Sequence, residues 1–360
     1  MEHPIPEGDL PLVGEALLRW YDRHRRDLPW RRTRDPYRIW VSEIILQQTR
    51  VAQGTAYYRR FLERFPTVEH LARASLDEVM KVWEGLGYYS RARHMYAAAQ
   101  MIVARGGRFP DTYKTLLRLP GVGPYTAAAI ASIAFAEPVP VVDGNVFRVI
   151  SRLFAFEASR SSPAQKEVAR LSAFLMPAER PGDFNQAVME LGALLCTPSP
   201  VCDQCPLASW CGARHLGRTA TIPLPAKKPS LRIRYFHYFV ITFDDRLVVT
   251  RRRNKDIWHM LYELPLLETD GEEPPGKVID RMRRNYPFLA ELPVQISPPR
   301  RHQLTHLTVI ARFYRVEPTK IPSLPPGWII VKRENPGEKA FPRLIGAYLE
   351  ELRSTPTRKG

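Results

Sequence analysis

Apolar residues recur at helical spacing from Leu10 to about Arg214, as in Leu17, Trp20 and Tyr21 and again in Val79, Val82, Trp83 and Leu86. This pattern predicts an amino-terminal half built almost wholly of helices. The texture then changes. The stretch "LGRTATIPLPAKKPS", Leu216 to Ser230, is poor in large side chains and rich in proline and lysine, as a linker is. Beyond it, "RIRYFHYFVITFDDRLVVTRRR" and "RHQLTHLTVIARFYRVE" concentrate β-branched and aromatic residues between turn signals and predict strands. The expected organisation is a helical domain over 1–215, a linker over 216–230, a mixed α+β domain over 231–352 and a disordered tail over 353–360. A length of 360 residues, large for one core, agrees with two domains.

Within the helical half, "DTYKTLLRLPGVGPYTAAAIASIAF" reads as helix, tight turn, helix. Gly121 and Gly123 accept backbone conformations that other residues resist, and Pro124 suits a first helical position. Free amides at the start of the second helix, with Gly121, Gly123 and Thr126, are an expected contact for a DNA phosphate, because such amides attract anions and glycine permits close approach.

A pair of carboxyls adds chemistry to that turn. "DPYRIWVSEIILQQTR" predicts a helix capped by Asp35 and begun by Pro36, with Glu43 at the margin of its apolar face, where burial raises a carboxyl pKa. Asp143, in "VPVVDGNVFRVISRLF", stands where a helix N-cap belongs, so amide hydrogen bonds and the helix dipole favour its ionised form. One protonated and one ionised carboxyl is what cleavage of a glycosidic bond requires.

All four cysteines, Cys196, Cys202, Cys205 and Cys211, fall in "CTPSPVCDQCPLASWC", the first of them closing an apolar helix. A thiolate metal site is the expected use of this cluster, and both zinc and iron–sulfur centres accept four cysteines. Spacing alone does not choose between them.

Charge narrows the partner. Lys+Arg of 53 against Asp+Glu of 37 leaves +16, which favours a polyanion, and nucleic acid is the obvious one. No apolar run approaches the roughly 20 residues of a membrane helix, and "MEHPIPEGDL" has neither the basic start nor the apolar centre of a signal peptide. The expectation is a cytoplasmic, nucleoid-associated protein without a membrane partner, and a monomer suits a protein that wraps one duplex.

The hairpin "GVGPYT", the following "VDGN" and the cysteine cluster resemble the helix-hairpin-helix DNA glycosylases that carry a 4Fe-4S cluster. The set "DLPWR", "WVSEIILQQTR", "WEGLGYYSRAR" and "VDGNVFRV" resembles the MutY-type adenine DNA glycosylases, from about Leu17 to Cys211. The resemblance implies two helical subdomains with an iron–sulfur loop, double-stranded DNA with A:8-oxoguanine or A:G mispairs as partner, and removal of the adenine. By matching positions, Glu43 protonates N7 of a flipped adenine and Asp143 stabilises the deoxyribosyl cation, with Tyr125 and Asn145 around it. Arg26, Trp30, Arg31, Leu46 and Gln186 enclose the base, while Gln48 and Tyr88 enter the helix. The cluster would be held by Cys196, Cys202, Cys205 and Cys211, although five residues separate the first two here and six is usual in the family. Tyr125 occupies the place where the endonuclease III type carries a Schiff-base lysine, so the implied enzyme is monofunctional.

The carboxy-terminal region departs more. "IWHMLYELPLLET" resembles a Nudix (MutT-like) domain, but the stretch where active members carry glutamates reads "VIDRMRRNYPF", which implies loss of pyrophosphate hydrolysis. In the family this domain reads the 8-oxoguanine strand with a Phe-Ser-His loop. The matching segment "HQLTHL" offers Leu304, Thr305 and His306, keeping the hydroxyl and losing the aromatic ring. Three other readings stay open: a bifunctional endonuclease III-like lyase, a non-catalytic lesion-binding protein, and a nucleotide pyrophosphatase.

Overall fold

The computed structural model describes residues 5–225, 231–319, 324–334, 336–337 and 339–354. The end of the expected linker, 226–230, and the tail from 355 lie outside the described residues. The chain divides into two compact units, Met1–Arg73 with His94–Lys227, and Ala74–Arg93 with Lys228–Gly360.

Among the described residues the first unit is helical apart from a single bridge between Ser159 and Leu224. Leu17 and Tyr21 of the helix Leu10–His24 join one core with Phe147, Ile150, Phe184 and Leu191. Elsewhere in the unit Trp40, Phe61, Phe65 and Leu116 are fully buried, with the Trp40 ring edge-on to Phe109 at 5.6 Å and the Tyr37 hydroxyl donating to Phe65 O at 2.7 Å. The helix Pro124–Phe135 packs on both Pro36–Leu46 and Pro181–Leu194. Its run of alanines makes that contact close: a Cβ on Gly182 would lie 2.7 Å from Ser132 O. Three helices that carry candidate site residues are thereby held together.

In the second unit the strands are β1 (Arg232–Phe243), β2 (Arg246–Arg251), β3 (Tyr262–Glu263), β4 (Leu266–Thr269), β5 (Gln295–Ile296), β6 (Arg300–Gln303), β7 (Leu307–Val316) and β8 (Trp328–Lys332). The sheet runs β3-β2-β1-β7-β5, with β4 also on β1, β6 on β7 and β8 on β2. β1 and β7 are parallel from Arg232↔Leu307 to Ile241↔Val316, and the other pairings are antiparallel. Successive β7 residues face opposite ways. Tyr314 packs with Val278 and Met282 of the helix Pro275–Asn285, whereas Phe313 stacks at 3.8 Å on Tyr348 of the helix Arg343–Ser354, so a helix covers each face.

Residues 74–93 correct the picture of one uninterrupted helical half. They belong to the second unit because Asp77 pairs with Arg251 at 2.6 Å, Glu84 accepts from Phe341 N at 2.8 Å and Arg93 donates to His259 O at 2.7 Å. The helix there is short, Leu76–Val82, and Leu86 lies beyond it, since Gly85 and Gly87 adopt positive φ and end the helical run.

Candidate active site

Glu43 lies on the helix Pro36–Leu46, started by the Asp35 side chain, which accepts from the Tyr37 and Arg38 amides. The Glu43 side chain is buried, and its Oε2 has no hydrogen-bond partner among the described residues. Burial pushes its pKa up to about 7, opposed by the neighbouring Tyr125 hydroxyl and Arg31 and reinforced by Asp143. The Tyr125 hydroxyl donates to Met189 Sδ at 3.4 Å.

Asp143 caps the helix Gly144–Leu153. Its Oδ1 accepts from Val146 N at 2.7 Å and its Oδ2 from Asn145 Nδ2 at 3.2 Å. The amide hydrogen bonds expected to favour its ionised form are present, with the charges of Arg160 and Arg148 beside them, but burial outweighs them and raises the pKa of this carboxyl. Both carboxyls therefore rise, and the large rise belongs to Glu43, which lacks such donors.

Glu43, Leu46, Tyr125 and Asp143 line two adjoining cavities of the first unit. The larger, about 800 Å³, also takes in Gln48, Gly121, Gly123 and Thr126. The smaller, about 260 Å³, adds Arg26, Trp30, Arg31, Asn145 and Gln186. Residues spread over 160 positions of sequence, Arg26 to Gln186, thus meet around one carboxyl pair.

The hairpin supplies two different glycines. Gly121 has φ +74°, and a Cβ there would strike His94 Cβ at 2.5 Å, so packing requires it. A Cβ on Gly123 would meet nothing within 4 Å, leaving open space beside the first turn of the helix Pro124–Phe135. Thr126 is buried and its hydroxyl accepts from Gln47 Nε2 at 3.2 Å, which fixes the side chain inside the protein.

Arg26 and Arg31 do not hang free in the smaller cavity. Both bind Glu190, whose side chain is 1% exposed: Arg26 at 2.6 Å and Arg31 at 2.8 Å, with the Arg26 amide adding a third donor at 2.9 Å. Although burial works the other way, these donors hold the Glu190 carboxyl at about 2. Glu190 was absent from the sequence-based set. Its signal is the helical step of four from Gln186, which puts both on one face.

The four cysteines line one small cavity beside Arg152, whose guanidinium donates to Cys196 Sγ at 3.4 Å and to Thr197 O at 2.6 Å. That donor set, thiols with a buried cation against one sulfur, fits an anionic thiolate-bound metal centre. Arg148 joins this loop to the carboxyl pair. Its Nε donates to Cys196 O at 2.7 Å and one NH2 to Asn145 Oδ1 at 2.9 Å, and Asn145 in turn holds Asp143. A Cβ on Gly192 would lie 2.7 Å from Asn145 Cβ, so only glycine admits this packing.

Tyr88, Thr305 and His306 belong to the second unit. Leu304–His306 form the turn between β6 and β7, closed by Leu304 N on Leu307 O at 2.7 Å, and the Tyr88 hydroxyl bonds the Thr305 hydroxyl. Gln48 and Tyr88 both hold positive φ, +57° and +47°, a conformation costly for such residues and common where a side chain must be aimed.

Residues 41–175 match the family described as HhH-GPD superfamily base excision DNA repair protein, and 237–351 match the NUDIX domain. The chain is 51% identical over 212 residues to an adenine DNA glycosylase of Homo sapiens, covering 56% of this chain and 39% of that protein, so it spans well under half of that relative. It is 33% identical over 262 residues to an adenine DNA glycosylase of Buchnera aphidicola from Schizaphis graminum, covering 72% of this chain and 76% of that one. Among solved structures, a thermostable thymine-DNA glycosylase superposes with a TM-score of 0.53 at 30% identity, covering 58% of this chain and 98% of the other. An endonuclease III in a non-covalent DNA complex gives 0.51 at 24% identity, covering 59% and 98%, a likeness of fold. No helix among the described residues is long and apolar enough to cross a membrane.

Proposed function

Because this chain belongs to the MutY-type family of helix-hairpin-helix adenine DNA glycosylases, we propose that it hydrolyses the N-glycosidic bond of adenine mispaired with 8-oxoguanine or guanine in duplex DNA. The observation that carries this reading is the carboxyl pair: Glu43, buried with a free Oε2, beside Asp143, whose oxygens are both hydrogen-bonded, in one cavity.

The extruded adenine enters the smaller cavity. Protonated Glu43 gives its proton to N7, the C1′–N9 bond breaks with its electrons passing to the base, and the Asp143 carboxylate stabilises the deoxyribosyl cation until water adds. Glu190, ionised and with both oxygens already accepting from Arg26 and Arg31, fixes those two arginines in the wall of this cavity. Cys196, Cys202, Cys205 and Cys211 would hold a 4Fe-4S cluster, which supplies a fixed loop when bound; Arg148 and Asn145 transmit that fixation to Asp143.

Tyr125 forms no Schiff base, which supports a monofunctional enzyme. Thr305 and His306 are assigned to the base opposite adenine, with Tyr88 beside them. The test uses labelled duplexes with adenine opposite 8-oxoguanine or guanine, sampled before and after hot alkali. Breaks only after alkali, faster on the 8-oxoguanine duplex, are expected, and replacing Thr305 and His306 by alanine should narrow the difference in rate. Strand breaks without alkali, trapped by borohydride, would contradict the monofunctional assignment. Lys166, the one amine lining the larger cavity among the described residues, would then be the group to substitute. Absence of base release from both duplexes would overturn the proposed activity.

A further inference from the structure

The larger cavity has a basic wall that the reading above leaves unused. Arg160 and Lys166 line it together with Ser162 and Gln165, in the same space as Gly123 and Asp143. The backbone around Arg160 is fixed. Ser159 bridges to Leu224, Leu224 N donates to Ala158 O at 3.2 Å, and the Ser161 hydroxyl caps the helix Ser162–Phe174 by accepting from Ala164 N at 3.4 Å. The Arg160 guanidinium reaches to 3.6 Å from where a Cβ on Gly144 would stand, beside the helix start that Asp143 caps.

Neither cation is neutralised by an ion pair among the described residues. The nearby acids are committed elsewhere, Glu157 to Arg218 and Glu167 to Arg170 at 2.6 Å. Asp143 does not take up Arg160 either: its oxygens accept from Val146 and Asn145. Two uncompensated cations in a concave, polar wall call for an anion from outside.

We propose that Arg160 and Lys166 form a second phosphate subsite, gripping the DNA backbone on the other side of the extruded nucleotide from the phosphate at the hairpin amides. An extruded nucleotide is flanked by two phosphates. Fixing both holds its sugar over Asp143, whereas one contact would leave it free to swing. This rests on the proposed function only in taking the adenine-bearing strand to occupy the cavity.

The experiment measures DNA affinity and single-turnover base release for the full chain, its Arg160→Gln, Lys166→Gln and double variants, and Arg160→Lys. The duplexes carry a neutral methylphosphonate at one phosphate at a time around the target adenine. For the unmodified chain, one position should weaken binding by roughly tenfold, and that penalty should vanish in the double variant. The slope of log affinity against log salt should fall by about 1 in the double variant, and Arg160→Lys should restore most of the loss. Both side chains are exposed, so thermal unfolding should not change. A double variant that keeps the methylphosphonate penalty and the full salt slope would overturn the subsite. If the unmodified chain shows the penalty yet releases no adenine, the subsite stands and the proposed activity falls. If it releases adenine with no penalty that depends on these residues, the reverse holds.

Discussion

Asp143→Asn is expected to remove adenine release while leaving the fold intact. Asparagine caps a helix as well as aspartate does, so the bond to Val146 N survives, while its amide nitrogen can no longer accept from Asn145 Nδ2, and stability should fall by about 1 kcal/mol with the fold retained. The negative charge facing the sugar does not survive. Loss of one preorganised electrostatic contact typically costs 10²–10³ in rate, and a carboxylate opposing a cation in a buried site belongs at or above the top of that range, so single-turnover release should fall by about 10³ or more. DNA affinity should not fall, because a carboxylate beside a phosphate backbone opposes binding. A rate within tenfold of the unmodified protein would show that Asp143 acts only as a cap.

Glu43→Gln should have two opposed effects: activity lost and stability gained. The Glu43 carboxyl titrates near 7 in the folded chain, against 4.5 as its ordinary value, chiefly because burial disfavours the charged form. A raised folded-state pKa means that the folded protein holds the proton more tightly than the unfolded chain. Its stability contribution is complete below about 4.5 and is lost as pH rises through 7. Each tenfold in proton affinity is 1.36 kcal/mol, so the span from 4.5 to about 7 amounts to about 3 kcal/mol lost by pH 8. Glutamine cannot ionise and should escape that loss. Urea denaturation at pH 4 and pH 8 should show the variant gaining on the unmodified protein by roughly 2–3 kcal/mol between the two. An identical pH dependence in both proteins would mean that Glu43 is not the buried acid. The activity of the unmodified protein should correspondingly decline above pH 7, where Glu43 no longer carries the proton that it donates, and at low pH, where Asp143 is neutralised.

Much of this architecture is written locally. Asp35 and Asp143 announce their helices because capping is satisfied within three residues of the cap. β1, β2 and β7 follow from their β-branched and aromatic runs. The failures share a different cause. Glu190 on its own helix looks like any helical glutamate; what makes it a structural anion is a pair of arginines 159 and 164 positions away. Asp143 reads as an ordinary cap until packing removes its water, which no spacing rule measures. The segment 74–93 has sound helical periodicity, yet periodicity does not say which unit it packs with. Local chemistry was legible, and long-range pairing and desolvation were not.

That segment also bears on how the protein is made. It leaves the ribosome among the helices of the first unit, but its partners arrive late: Arg251 for Asp77, and Phe341 for Glu84. From Arg93 to Phe341 the chain must grow by 341 − 93 = 248 residues, on the order of 10–50 s at typical synthesis rates. A helix of seven residues cannot sustain itself through that interval. Co-translational folding therefore leaves a gap in the nascent chain at residues 74–93 that only segments from Arg251 onward can close, and termination or proteolysis ahead of Phe341 strips support from that stretch.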